Sequence, residues 1–101
     1  GFYIGGMGAK DKNFYNDYTK LLGYEDAAVK IQDAFLAGRR KEAAALVPDE
    51  LVDLTSLVGP PDRIRDRLQA WKAAAADNSV GSLLMRTKDI ATMRVIAEAA
   101  A

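Results

Sequence analysis

The chain contains no cysteine and no histidine. The first absence excludes disulfides and thiolate metal sites, and the second removes the commonest general base and the commonest metal ligand. It carries no net charge either, with 14 Lys and Arg balanced by 14 Asp and Glu. Binding to a phosphate backbone needs clustered, unbalanced cations, so no nucleic-acid partner is expected. No apolar run approaches the ~18 residues of a membrane span, and no basic-then-apolar leader stands at the N-terminus. These absences imply no membrane partner and make a cytoplasmic setting the expectation.

What remains is 101 residues, half hydrophobic and 28% charged, enough for one modest core. The chain opens Gly1-Phe2-Tyr3-Ile4, with no initiator Met and already within an apolar segment, and it reads as a piece of a longer chain. Gly5-Gly6-Met7-Gly8 places three glycines in four residues, a pattern that breaks regular structure or stops a helix. A helix is expected from about Asn13 to Leu22, with Phe14, Tyr18 and Leu21 on one face and Gly23 as its stop. The next runs from about Tyr24 to Ala37 on a stripe of Tyr24, Ala28, Ile31 and Phe35, ended by Gly38. Arg39 to Leu46 reads as a short Ala-rich helix, and Pro48-Asp49-Glu50 as another helix start.

The second half is more sharply punctuated. Pro61 presets a helix, Asp62 complements its positive end, and Ile64, Leu68 and Trp71 form an apolar stripe that predicts a buried tryptophan. Asp77-Asn78-Ser79 is a turn, and Val80 to Met85 reads as the one strand. Asp89 is placed to cap a last helix carrying Ile90, Met93, Ile96 and Ala97. The fold class expected is therefore mostly α with one β-strand. A lone strand leaves its backbone N–H and C=O groups without partners, so its neighbour must come from missing sequence or from another copy of the chain.

Four groups of residues have chemical potential, each with a plainer reading beside it. Gly5, Gly6 and Met7 lie in a glycine-rich turn that would let a backbone approach a phosphate, but the P-loop Lys-Ser/Thr is missing and a helix stop suffices. Arg86 and Lys88 directly follow the expected strand, where barrel enzymes keep phosphate sites, though a solvated loop or C-terminal charge pair is the plainer explanation. Arg63, Arg65 and Arg67 alternate with acids as a solvated helix face does. Phe14, Tyr15 and Tyr18 either stack on a planar ligand or pack between helices. No nucleophile with its base and no metal cluster is visible, so neither catalytic nor metal-ligating residues are assigned.

Taken together, Tyr3-Ile4-Gly5-Gly6-Met7-Gly8, Lys12-Asn13-Phe14-Tyr15-Asn16-Asp17, Gly23-Tyr24-Glu25 and Val58-Gly59-Pro60-Pro61-Asp62-Arg63-Ile64 carry a resemblance. The chain resembles the C-terminal third of luciferase-like oxidoreductases dependent on the deazaflavin coenzyme F420, within the bacterial-luciferase superfamily. The resemblance implies a (β/α)8 barrel. Residues 1–57 would then be a helical insertion after the seventh strand, and 58–101 the last barrel unit, with helix 61–76, strand 80–85 and helix 89–101. It implies a parent enzyme that moves a hydride between reduced F420 and a small organic substrate, with FMN as the alternative cofactor. Gly5, Gly6, Met7, Arg86 and Lys88 would line the cofactor side of the pocket, and Phe14 and Tyr15 the substrate side. The catalytic residues would lie upstream, leaving this chain inactive and without cofactor by itself. Its expected partners are the rest of the barrel or a second copy in a homo-oligomer. An autonomous helical interaction domain is the alternative reading.

Overall fold

Every regular element of the chain is a helix: α1 (Phe2–Gly6), α2 (Phe14–Leu21), α3 (Glu25–Leu36), α4 (Arg40–Ala45), α5 (Asp49–Thr55), α6 (Pro61–Ala76) and α7 (Ile90–Ala100). The computed structural model describes residues 1–101. They divide into two compact units, Gly1–Thr55 and Ser56–Ala101.

In the first unit α3 is the centre, packing against α1, α2 and α4. Its stripe of Ala28, Ile31 and Ala34 is fully buried, and Ile31 and Ala34 meet Ala43 of α4. Ile4, Ala27, Phe35, Leu46 and Val47 close around that centre. The stops between helices share one geometry. After α2 the Gly23 N–H donates to Lys20 O and the Tyr24 N–H to Thr19 O, and after α3 the Gly38 and Arg39 N–H groups donate to Phe35 O and Ala34 O. Each pair satisfies two orphan carbonyls and requires a left-handed residue, which Gly23 and Gly38 supply at φ 96° and 84°. Asn78, at φ 64°, does the same after α6.

In the second unit α6 opens at Pro61, whose ring suits the first helical turn. Ile64 and Leu68 of α6 bury against Ile96 of α7, with Leu57, Val95 and Ala99 around them. Three expectations are corrected here. Trp71 is 41% exposed rather than buried: it leans over a shallow cavity of about 110 Å³ lined also by Leu68, Lys72, Val80, Leu83 and Ala100. The inward face of α7 is Val95, Ile96 and Ala99, so Ile90 and Met93 point outward. The helix turns the stripe that fits Ile64 and Leu68, not the one with most apolar residues.

The third correction concerns the strand. Val80 to Met85 forms no strand but an irregular segment in which Leu84 is 97% exposed. The apolar run has strand character, yet a strand exists only where another pairs with it, and this chain contains none. The fold class is therefore all-helical, without the expected β element.

Candidate functional site

The α1–α2–α3 junction carries the most unusual surface of the molecule, and it arises from an inverted burial pattern. Sequence periodicity places Phe14, Tyr18 and Leu21 on one face of α2, the apolar face that a core is expected to take. The structure buries the opposite face, made of Asn16 and Thr19 with the capping Asn13. Phe14 is 73% and Leu21 85% exposed, and Tyr18 is also exposed.

The polar face wins because it closes an account that apolar side chains cannot. Helix α1 ends after two turns or fewer, leaving its carbonyls without helical donors. Asn13 Nδ2 donates to Tyr3 O at 3.1 Å and to Ile4 O at 3.0 Å. Asn16 Nδ2 donates to Ile4 O at 3.0 Å and to Ala28 O of α3 at 2.8 Å. Asn13 Oδ1 in turn accepts from the Asn16 N–H at 3.1 Å, capping α2. Two asparagines thus bolt three helices together. Orphan carbonyls at a buried helix end cost more than the exposure of a ring, since each unmet group forfeits about 1–3 kcal/mol.

The glycines serve the same junction. Gly5 and Gly6 do not break the chain; they are the last residues of α1, with Met7 as its exposed C-cap. A Cβ at Gly5 would lie 2.6 Å from Phe35 Cβ, and one at Gly6 would lie 2.3 Å from the Phe35 ring edge. The space a phosphate would need above these two glycines is filled by Phe35. Their smallness lets α1 settle on α3.

What this packing displays outward is a connected belt of rings. Arg40 lies over the Phe35 ring at 5.4 Å. From Phe35 the contacts run to Phe2 at 6.0 Å, Phe2 to Tyr3 at 5.7 Å, and Tyr3 to Tyr15 at 4.9 Å. Tyr15 meets Phe14 at 5.5 Å, and Phe14 lies parallel to Tyr18 within 4° at 6.3 Å. All but the last are edge-to-face pairs, the arrangement that aromatic quadrupoles favour. Phe14, Tyr15 and Tyr18 are thus brought together, and they are joined by Tyr3, Phe2 and Phe35, which the sequence reading did not group with them. The signal lay in the polar spacing 13, 16, 19: three residues at helical period that bury as a stripe and leave the rings outside.

Arg86 and Lys88 lie in the second unit, both exposed, on the segment that leads into α7. Asp89 caps that helix, accepting from the Ala91 and Thr92 N–H groups at 3.3 and 2.9 Å and from the Thr92 hydroxyl. The hydroxyl, then the two amides, hold its carboxyl below the ordinary value of 3.8. Asp77 is held low in the same way by Ser79. Both shifts belong to helix and turn capping, not to proton transfer. No group of His, Cys, Asp and Glu is placed to hold a metal ion, and no helix is long and apolar enough to cross a membrane.

Comparison with known proteins places these residues among relatives. The family of luciferase-like monooxygenases is matched over residues 1–78. A protein of Mycobacterium tuberculosis named "Putative coenzyme F420-dependent oxidoreductase Rv3520c" is 42% identical over 72 residues, which make up 71% of this chain and 21% of that protein. The chain therefore spans about a fifth of the length of the curated relative that it matches. No solved structure matches it.

Proposed function

The chain belongs to the luciferase-like monooxygenase family, and on that premise we propose that it forms the C-terminal part of a coenzyme F420-dependent oxidoreductase moving a hydride between reduced deazaflavin and an organic substrate. The observation that carries the reading is the 42% identity over 72 residues to a relative named for that cofactor. The residues present suit a planar ring better than a phosphate or a metal. Tyr3 and Tyr15 meet edge to face at 4.9 Å and are both exposed, whereas the glycine turn is already filled by Phe35.

When bound, the deazaflavin supplies the hydride chemistry. This chain's share is to bind and to exclude water. Tyr15, with Tyr3 behind it, offers a ring face and a phenol to a flat ligand, and Met7 offers a polarizable apolar contact at the end of α1. Gly5 and Gly6 contribute as spacers that fix where these side chains stand. No residue here is assigned to proton or hydride transfer. The (β/α)8 barrel belongs to this proposal, supported by the family matched over residues 1–78. A cytoplasmic setting fits a cysteine-free chain.

The reading is tested by adding reduced F420 and candidate acceptors to the 101-residue chain and to a full-length family protein carrying it. The chain alone is expected to give no acceptor-dependent absorbance change, while the longer protein turns over and its Tyr15→Ala variant raises KM about tenfold, the worth of one lost ring contact. Turnover by the isolated chain, or a longer protein that accepts only reduced FMN, would sink it. A second reading, an autonomous helical interaction module, is favoured by one observation: the unit Gly1–Thr55 has a closed core of its own.

A further inference from the structure

The chain has three asparagines, Asn13, Asn16 and Asn78, and the fold treats them in two ways. Asn13 and Asn16 are buried, with their amides engaged by the carbonyls of Tyr3, Ile4 and Ala28. Asn78 is exposed, stands in the left-handed region at φ 64° and is followed by a small residue, Ser79. The cofactor reading gives it no role.

Asparagine is among the thermally labile residues, and an exposed one before a small residue is the usual setting for succinimide chemistry. The backbone nitrogen of the next residue, having lost its proton, attacks the side-chain Cγ. The new N–Cγ bond closes a five-membered ring, the Cγ–Nδ2 bond breaks, and Nδ2 leaves as ammonia. Water then opens the ring at either carbonyl to give aspartate or isoaspartate. No oxidant or reductant enters.

The nucleophile for Asn78 is the Ser79 nitrogen, and the fold holds its proton twice. The Ser79 N–H donates to Ala74 O of α6 at 2.9 Å and to Asp77 Oδ1 at 2.9 Å. Both acceptors must be given up before the nitrogen can turn on Cγ. The Asp77 carboxylate, an anion beside that nitrogen, also opposes loss of its proton. On either side the Asn78 and Val80 N–H groups, donating to Ala75 O and Ala74 O at 3.2 Å each, fix the turn.

We propose that Asn78 is a latent deamidation site of this chain, held unreacted by Asp77 and the Ala74 carbonyl through the Ser79 N–H. Local opening at the end of α6 frees that N–H and makes the site reactive. The products matter for the turn. Either one sets a new carboxylate at the negative end of α6, and isoaspartate also lengthens the main chain between α6 and Val80. Both loosen the stop of the helix whose Ile64 and Leu68 form the core of the second unit.

Prolonged incubation of the 101-residue chain in neutral buffer, with and without urea, followed by peptide mass spectrometry, tests the site. Asn78 is expected to convert slowly in buffer and more than fivefold faster in urea, where both hydrogen bonds are lost. Asp77→Ala is expected to speed conversion in buffer about fivefold, the worth of one hydrogen bond, and Asp77→Ser, which keeps an acceptor, by less. In urea the variants and the parent sequence convert at closely similar rates, because the turn is gone. Far-UV circular dichroism of each variant in buffer shows the helices intact. Equal rates with and without urea overturn the proposal. So does an Asp77→Ala chain that reacts no faster than the parent in buffer, or conversion that accumulates first at Asn13 or Asn16.

Discussion

At the scale of the residue, the junction turns on atoms that are missing as much as on those present. Gly5→Ala drives a methyl into Phe35 Cβ, which cannot move without its backbone, and should cost about 1–3 kcal/mol. Gly6→Ala meets only the far edge of the same ring, which can rotate, and should cost less. Urea midpoints of the two variants check the order. Asn16→Ala leaves Ala28 O and Ile4 O without that donor and should lose about 1–3 kcal/mol, while Phe14→Ala, on the exposed side, stays within about 0.5 kcal/mol. That contrast is the residue-level signature of a helix buried by its polar face. In the second unit Leu68→Ala should cost about 2–5 kcal/mol and Trp71→Ala less, because the indole keeps water on one side.

At the scale of the element, helix ends were more legible than helix faces. Gly23, Gly38, Asn78 and Pro61 set their boundaries through local backbone chemistry, which acts without regard to what the helix packs on. Asp89 does the same for α7, and its low carboxyl gives a pH dependence whose sign is fixed. A carboxyl held below 3.8 in the fold stabilises its helix above that value, and the contribution is lost as pH falls through the folded value. The Ala91 and Thr92 amide resonances should therefore shift in acid, and Asp89→Asn, which caps without titrating, should flatten that response. The segment from Val80 to Met85 is the opposite case. Its β-forming residues need a partner from elsewhere, so its amides should exchange with solvent within the dead time of a hydrogen-exchange experiment while those of Ile64 and Leu68 in α6 persist.

At the scale of the whole molecule, two small units each hold a small core, a cluster of Ile31, Ala34 and Ala43 in the first and of Ile64, Leu68 and Ile96 in the second, with a few partly buried neighbours. Little apolar surface is enclosed, and much is left outside: Phe14, Leu21, Leu84 and Ile90 among the largest. The chain spans about a fifth of the length of the relative it matches. The sequence by itself determined the helices, their caps and stops, the family, and the absence of any thiol or imidazole chemistry, because each of these is set by residue identity or by contacts within a few positions. Only the tertiary structure decided which face each helix buries. At α2 the hydrophobic period pointed one way, and the unsatisfied carbonyls of α1, brought close by two glycines without side chains, pulled the asparagines inward and left the rings facing out.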